Sequence, residues 1–122
     1  MLTIAAMTQR HTNLVAWQRA DDLFIDIHRL AKRFPADERF ELCSQIRRAA
    51  YSVPANIVEG FARRSVKERL RFLNIAEGSL AEVAYCLHVA RRLGYIDDAT
   101  YEAVDARARQ VAAPLVGLIR KG

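Results

Sequence analysis

Glycine and proline are scarce, with 5 and 3 copies among 122 residues, so the chain has little material for long loops. Long elements joined by short connections follow. No apolar run approaches the roughly 20 residues that span a bilayer. The opening Met1-Leu2-Thr3-Ile4-Ala5-Ala6-Met7 is too short and too poor in basic residues for a secretory signal. A cytoplasmic protein without a membrane anchor is expected, with Met7 a second candidate start. Cysteine is limited to Cys43 and Cys86, both set in helix-like apolar patterns. In the cytosol such residues are buried, reduced thiols that pack as small hydrophobes, and a disulfide is the disfavoured alternative. His11, His28 and His88 are too dispersed for metal-ligand spacing. The Glu-x-x-His pattern of di-iron bundles, the phosphate loop, the dinucleotide fingerprint and the nucleophile elbow are all missing. No catalytic residue, metal, cofactor or small-molecule substrate is therefore assigned, and a non-enzymatic protein is expected.

Hydrophobic residues make up 52% of the chain, enough for a substantial core, and the net charge of +5 with a pI near 9.7 is compatible with an anionic partner. Four helical patterns account for the length. Asn13 is placed to cap a first helix over 14–33, whose Trp17, Ala20, Leu23, Phe24, Ile27, Leu30, Ala31 and Phe34 recur at the spacing of one buried face. Pro35, Asp37 and Glu38 suit the start of a second helix over 38–63, because free N–H groups there favour negative charge. Pro54 lies inside it. The apolar spacing of Cys43, Ile46, Ala50, Val53, Ile57 and Phe61 continues through the proline, which favours a kink over a full break. Ser65 and Glu68 form a capping box for a third helix over 66–93, ended by Gly94. Asp97 caps a fourth over 98–119, with Pro114 expected to kink or fray its last turns. Short connections make neighbours antiparallel. The expected fold is all-α: an up-down-up-down four-helix bundle over 14–122 with a proline-kinked second helix, preceded by a flexible tail over 1–13.

Three surfaces stand out. Helices two and three carry more apolar residues than one core-facing arc needs. At about 100° per residue, Phe40, Tyr51 and Val58 fall outside the main arc of helix two, and Phe72, Ile75, Cys86 and Leu93 outside that of helix three. A large second face marks self-association, with Phe40, Tyr51, Val58, Phe72 and Ile75 as candidate interface residues; scattered exposed apolar residues are the plainer alternative. Gln45, Arg48, Ser52, Asn56 and Glu59 form a polar line along helix two. It is either a solvated face or a satisfied network between helices or subunits. In the second case, truncating Arg48 or Glu59 costs about 3–5 kcal/mol. Antiparallel topology also gathers Arg10, Arg63, Arg64, Lys67, Arg69, Arg71, Arg120 and Lys121 at one end of the bundle, with Arg63, Arg64, Lys67, Arg71, Arg120 and Lys121 as the candidate binding residues. That end is either a solvated charge cluster or a phosphate-binding surface.

Ser44-Gln45-Ile46-Arg47-Arg48-Ala49-Ala50 and Ser52-Val53-Pro54-Ala55-Asn56-Ile57-Val58-Glu59-Gly60-Phe61 resemble the ribosomal-RNA (23S) intervening-sequence proteins, a bacterial family. The likeness extends to Ala16-Trp17-Gln18-Arg19-Ala20, to Arg71-Phe72-Leu73-Asn74-Ile75-Ala76-Glu77-Gly78-Ser79-Leu80-Ala81-Glu82, and to Leu93-Gly94-Tyr95, so it covers roughly 14–96. Tyr51, Val58 and Ala62 are bulkier than the pattern suggests, which bears on packing at the second face. The resemblance implies an antiparallel four-helix bundle and a ring-like homopentamer. It also implies kinship with the accessory protein of diversity-generating retroelements, which partners a reverse transcriptase and nucleic acid. The leading expectation is a homo-oligomer that binds RNA or a nucleic-acid-processing protein through its basic end. The alternative is an adaptor whose basic end meets an acidic protein.

Overall fold

The computed structural model describes residues 10–122, in which four α-helices follow one another: α1 (Val15–Ala31), α2 (Leu42–Ala62), α3 (Val66–Arg92) and α4 (Asp98–Lys121), with a short 3-10 turn (Ala36–Glu38) before α2. Each helix packs against its two neighbours in the ring α1–α2–α3–α4–α1, and no diagonal pair approaches closely. This is the antiparallel four-helix bundle expected from the pattern. Residues 1–9 of the expected tail, including the choice between Met1 and Met7, lie outside the described residues.

Apolar positions three and four apart drive the packing. Leu23 and Ile27 on α1, Ile46, Val53 and Ile57 on α2, Leu73, Val83 and Leu87 on α3, and Val111 and Leu115 on α4 are the largest fully buried side chains. Each is worth about 1.5–3 kcal/mol by removal from water. Alanines at 20, 50, 76 and 90 are equally buried and let the backbones approach. Cys43 and Cys86 are buried free thiols in this core. Burial pushes Cys86 up to about 11, with the Glu82 charge adding to it, and burial also raises Cys43.

The local signals at three helix ends match the structure. Ser65 accepts the Glu68 N–H at 3.3 Å, and Asp97 accepts that of Thr100 at 2.7 Å. Hydrogen bonds from the Thr100 side chain first, and from its backbone N–H second, hold the Asp97 carboxyl below its ordinary value. Gly94 takes φ of 78°, and the Tyr95 and Gly94 N–H groups return to the carbonyls of Ala90 and Arg91. This is a Schellman stop, which needs a residue without Cβ.

Two expected starts are corrected. Asn13 does not cap α1; the cap is Leu14, without a side-chain bond, and residues 10–13 form a turn in which His11 is buried with its ring 4.5 Å from that of Trp17. Burial, opposed by the Asp21 charge, lowers the His11 pKa from its ordinary value. Helix α2 begins at Leu42 rather than at 38. The Tyr95 hydroxyl donates to the Glu38 carboxylate, and Phe34 packs 5.6 Å from the Tyr95 ring. These contacts pin the 3-10 turn to the α3–α4 connection, and the chain must turn again before α2 starts.

Helix α2 runs unbroken through Pro54, so a full break is excluded. Helix α4 likewise continues past Pro114 to Lys121, without the expected fraying. Pro114 cannot donate to the Gln110 carbonyl four residues earlier. Arg19 of α1 does so instead, Nη1 to O at 2.8 Å. The last carbonyls of α1 are served in the same manner by α2: Arg47 donates to His28 O at 3.0 Å and the Cys43 thiol to Ala31 O at 3.3 Å. Helix ends and proline gaps are closed by side chains from neighbouring helices, which ties local geometry to the tertiary fold.

Candidate nucleic-acid interface and its neighbouring faces

The turn between α2 and α3 sets up the basic end. Gly60 sits at a close approach of the two helices: a Cβ there meets the Arg69 carbonyl oxygen at 3.2 Å and Phe72 Cβ at 3.4 Å. This close approach brings the arginines of both helices over shared aromatic rings. The Arg63 and Arg71 guanidiniums lie 5.0 and 5.2 Å from the Phe72 ring centre, and that of Arg69 lies 4.6 Å from Phe61. Stacking of this kind contributes about 0.5–1 kcal/mol at exposed sites and orders the side chain. Arg64 and Lys67 are exposed beside the cluster. Arg120 and Lys121 end α4 at the same end of the bundle, where Gly122 lies against Leu70. The positive end of the α3 dipole points there too. The acids present are Glu68, in the first turn of α3, and Glu59, which pairs with Arg63 at 3.0 Å. In the sequence Arg69 reads only as one of the charges at this end, and Phe61 only as part of the core arc of helix two. The signal that finds them is an arginine and an aromatic facing each other across a short helix–helix turn.

The polar line on α2 divides. Gln45 donates to Glu82 at 2.9 Å, Ser79 donates to the Ser52 hydroxyl at 2.7 Å, and Asn56 donates to Ser52 Oγ at 2.8 Å and to its carbonyl at 2.7 Å. The first two bonds seam α2 to α3, and the Asn56 bonds stay within α2. Arg48 is exposed and lines the same cleft, of about 320 Å³. Glu59 does not join the seam. Its partner Arg63 is one turn away on its own helix, and both side chains are about half exposed. An exposed i,i+4 pair is worth about 0.3–0.5 kcal/mol, so the large cost expected on truncating Glu59 has no basis in contacts within the chain.

The candidate interface residues do not form one patch. Tyr51 and Val58 line a groove of about 390 Å³ between α1 and α2 with Trp17, Phe24 and Asp21. Ile75 is exposed on the α2–α3 face, one turn before Ser79. Phe72 is half-buried beneath its two arginines and belongs to the basic end. Phe40 lies in the turn before α2, 81% exposed, with the Arg39 guanidinium 4.8 Å from its ring centre. Cys86 is in the core and not on a second face, whereas Leu93 is exposed. Among the described residues no three His, Cys, Asp or Glu side chains converge as a metal site, and no helix is long and apolar enough to cross a membrane.

Fold and surface together define a small antiparallel four-helix bundle with an arginine–aromatic end and a hydroxyl-lined seam between its second and third helices. The family profile described as 23S rRNA-intervening sequence protein matches residues 12–117, and the chain belongs to this family. It is similar to a crystal structure, at 1.70 Å, of a protein of unknown function from the S23 ribosomal protein family of Bacteroides thetaiotaomicron VPI-5482. The two are 26% identical with a TM-score of 0.81, over 87% of this chain and 96% of that one. No curated protein matches the chain.

Proposed function

We propose that the protein is a non-enzymatic homo-oligomer that binds RNA through its basic end. The observation that carries this reading is the cluster at the α2–α3 turn, where Arg63, Arg69 and Arg71 are held on Phe61 and Phe72 beside the exposed Arg64 and Lys67. Ordered guanidiniums lose less freedom when they grip a phosphate, and neighbouring cations engage successive phosphates of one strand. Binding is mainly electrostatic and weakly sequence-specific. Likeness to the accessory protein of diversity-generating retroelements extends the reading to an RNA–protein partner such as a reverse transcriptase complex, acting in the cytoplasm.

Assembly follows from the two apolar surfaces. The α1–α2 groove and the α2–α3 face with Ile75 lie on adjacent sides of the bundle and differ in shape. Two unlike surfaces suit a head-to-tail contact that closes into a small ring. The pentamer implied by the family resemblance is one such ring. A ring repeats the basic cluster in every subunit, and weak contacts add through multivalency.

The test joins light scattering on a sizing column to binding of a structured rRNA fragment and a scrambled control. The expected particle is several times 13.8 kDa. Replacing Arg63, Arg64 and Lys67 together by Glu is expected to abolish binding to both RNAs with particle size and helicity unchanged. A dilution-independent monomer counts against assembly. Equal binding by variant and wild type removes the basic end as the surface, and no wild-type binding at low salt leaves an acidic protein as the partner.

A further inference from the structure

The α1–α4 face lies across the bundle from the α2–α3 seam, and nothing in the sequence pattern singled it out. Two hollows of about 450 and 400 Å³ run along it and meet at the ion pair between Asp26 and Arg107, 2.7 Å apart. The larger hollow has an apolar floor of Leu30, Ala103 and Val104. Arg29, in the last turn of α1, and Arg33, just beyond its C-terminal end, stand on its wall. Neither guanidinium donates a hydrogen bond or joins an ion pair among the described residues, although the Arg33 charge helps hold Asp97 ionised. The nearest acids are committed elsewhere: Asp26 to Arg107, and Asp97 to the Thr100 N–H.

We propose that this hollow binds a phosphorylated nucleoside, with the phosphate on Arg29 and Arg33 and a flat face of the base on the floor of Leu30, Ala103 and Val104. Two uncommitted guanidiniums on adjacent turns match the oxygens of one phosphate group. The apolar floor has no use for a bare phosphate and fits the face of a ring. The volume falls within the roughly 300–1,000 Å³ of small-molecule sites. Because the hollow is an open groove, the phosphorylated nucleoside can be a free nucleotide or the end of a strand. The site is independent of the RNA-binding proposal: Arg29 and Arg33 lie near the end of α1, at the opposite end of the bundle from the α2–α3 turn.

The experiment is a titration of the full chain with adenosine 5′-monophosphate, adenosine and inorganic phosphate, read by calorimetry and by the methyl resonances of Ala103 and Val104. The expected result is saturable binding of the monophosphate that moves both methyl signals, with adenosine and phosphate each weaker by about tenfold or more. Arg29→Glu with Arg33→Glu is expected to remove binding. So is Ala103→Trp, which fills the hollow without touching charge. The variant with Arg63, Arg64 and Lys67 replaced by Glu is expected to bind as the wild type does, so failure of this site and failure of the basic end are told apart. A 5′-phosphorylated trinucleotide that displaces the monophosphate, where its 5′-hydroxyl form does not, supports the site with a strand end as its ligand. A trinucleotide that displaces nothing supports it with the free nucleotide. Absence of monophosphate binding, or binding untouched by either hollow variant, overturns the proposal.

Discussion

At the residue scale, the most instructive contact is Arg19 on the Gln110 carbonyl, 91 positions away in the chain. Pro114 leaves that carbonyl without its helical donor, and an arginine from α1 supplies one. Arg19→Ala is expected to cost about 0.5–1.5 kcal/mol, the usual net worth of one such bond. In a Pro114→Ala background the restored N–H serves the carbonyl, and the same substitution is expected to cost less. A double-mutant cycle in denaturant measures the difference, and an additive pair means that the contact does not replace the missing bond. His11 gives a pH signature. Burial lowers its pKa below the ordinary 6.5, so the fold favours the neutral ring. Its contribution is complete above that value. As pH falls the unfolded chain takes up the proton first, and the contribution is lost as pH falls through the folded-state value. Between pH 7.5 and 5.5 the melting midpoint of the wild type is expected to fall more steeply than that of His11→Phe, which keeps a ring against Trp17. Parallel curves contradict this assignment.

At the scale of elements, what was legible in the sequence was what is local. Ser65, Gly94 and Asp97 carry their instructions within a few residues, and their helices start or stop where those residues place them. Asn13 and Glu38 carry similar local signals and were overridden. His11 folds onto Trp17 in the first turn of α1, and Tyr95, far along the chain, takes the Glu38 carboxylate, so side-chain contacts outweigh both capping signals. The same limit applies to the surfaces. A helical wheel groups Phe72 with Ile75, but the arginine stacking that separates them depends on how closely α2 meets α3. Gly60 controls that distance. Gly60→Val places branched carbons where a single Cβ already meets the Arg69 carbonyl oxygen at 3.2 Å. Spreading the helices is expected to cost about 1–3 kcal/mol, read from a denaturant midpoint. Disruption of the Arg63–Phe72 stack is expected with it. A variant of unchanged stability shows that the approach at Gly60 is not tight.

At the scale of the whole molecule, charge and apolar surface are sorted by position. The basic end occupies one pole of the bundle, two unlike apolar surfaces meet along α2, and the arginine-walled hollow lies toward the other pole on the opposite side. The proposed roles in assembly, RNA binding and nucleotide binding therefore draw on different parts of the surface. The central claim is that the basic end meets phosphates, and the dependence of RNA affinity on salt tests it most directly. Each phosphate neutralised on a single strand adds about 0.7 to the slope of log K against log salt. The expected result is a steep line for the wild type, and a line shallower by about 2 when Arg63, Arg64 and Lys67 are replaced by neutral residues together. A flat line for the wild type, or equal slopes for the two proteins, contradicts the claim.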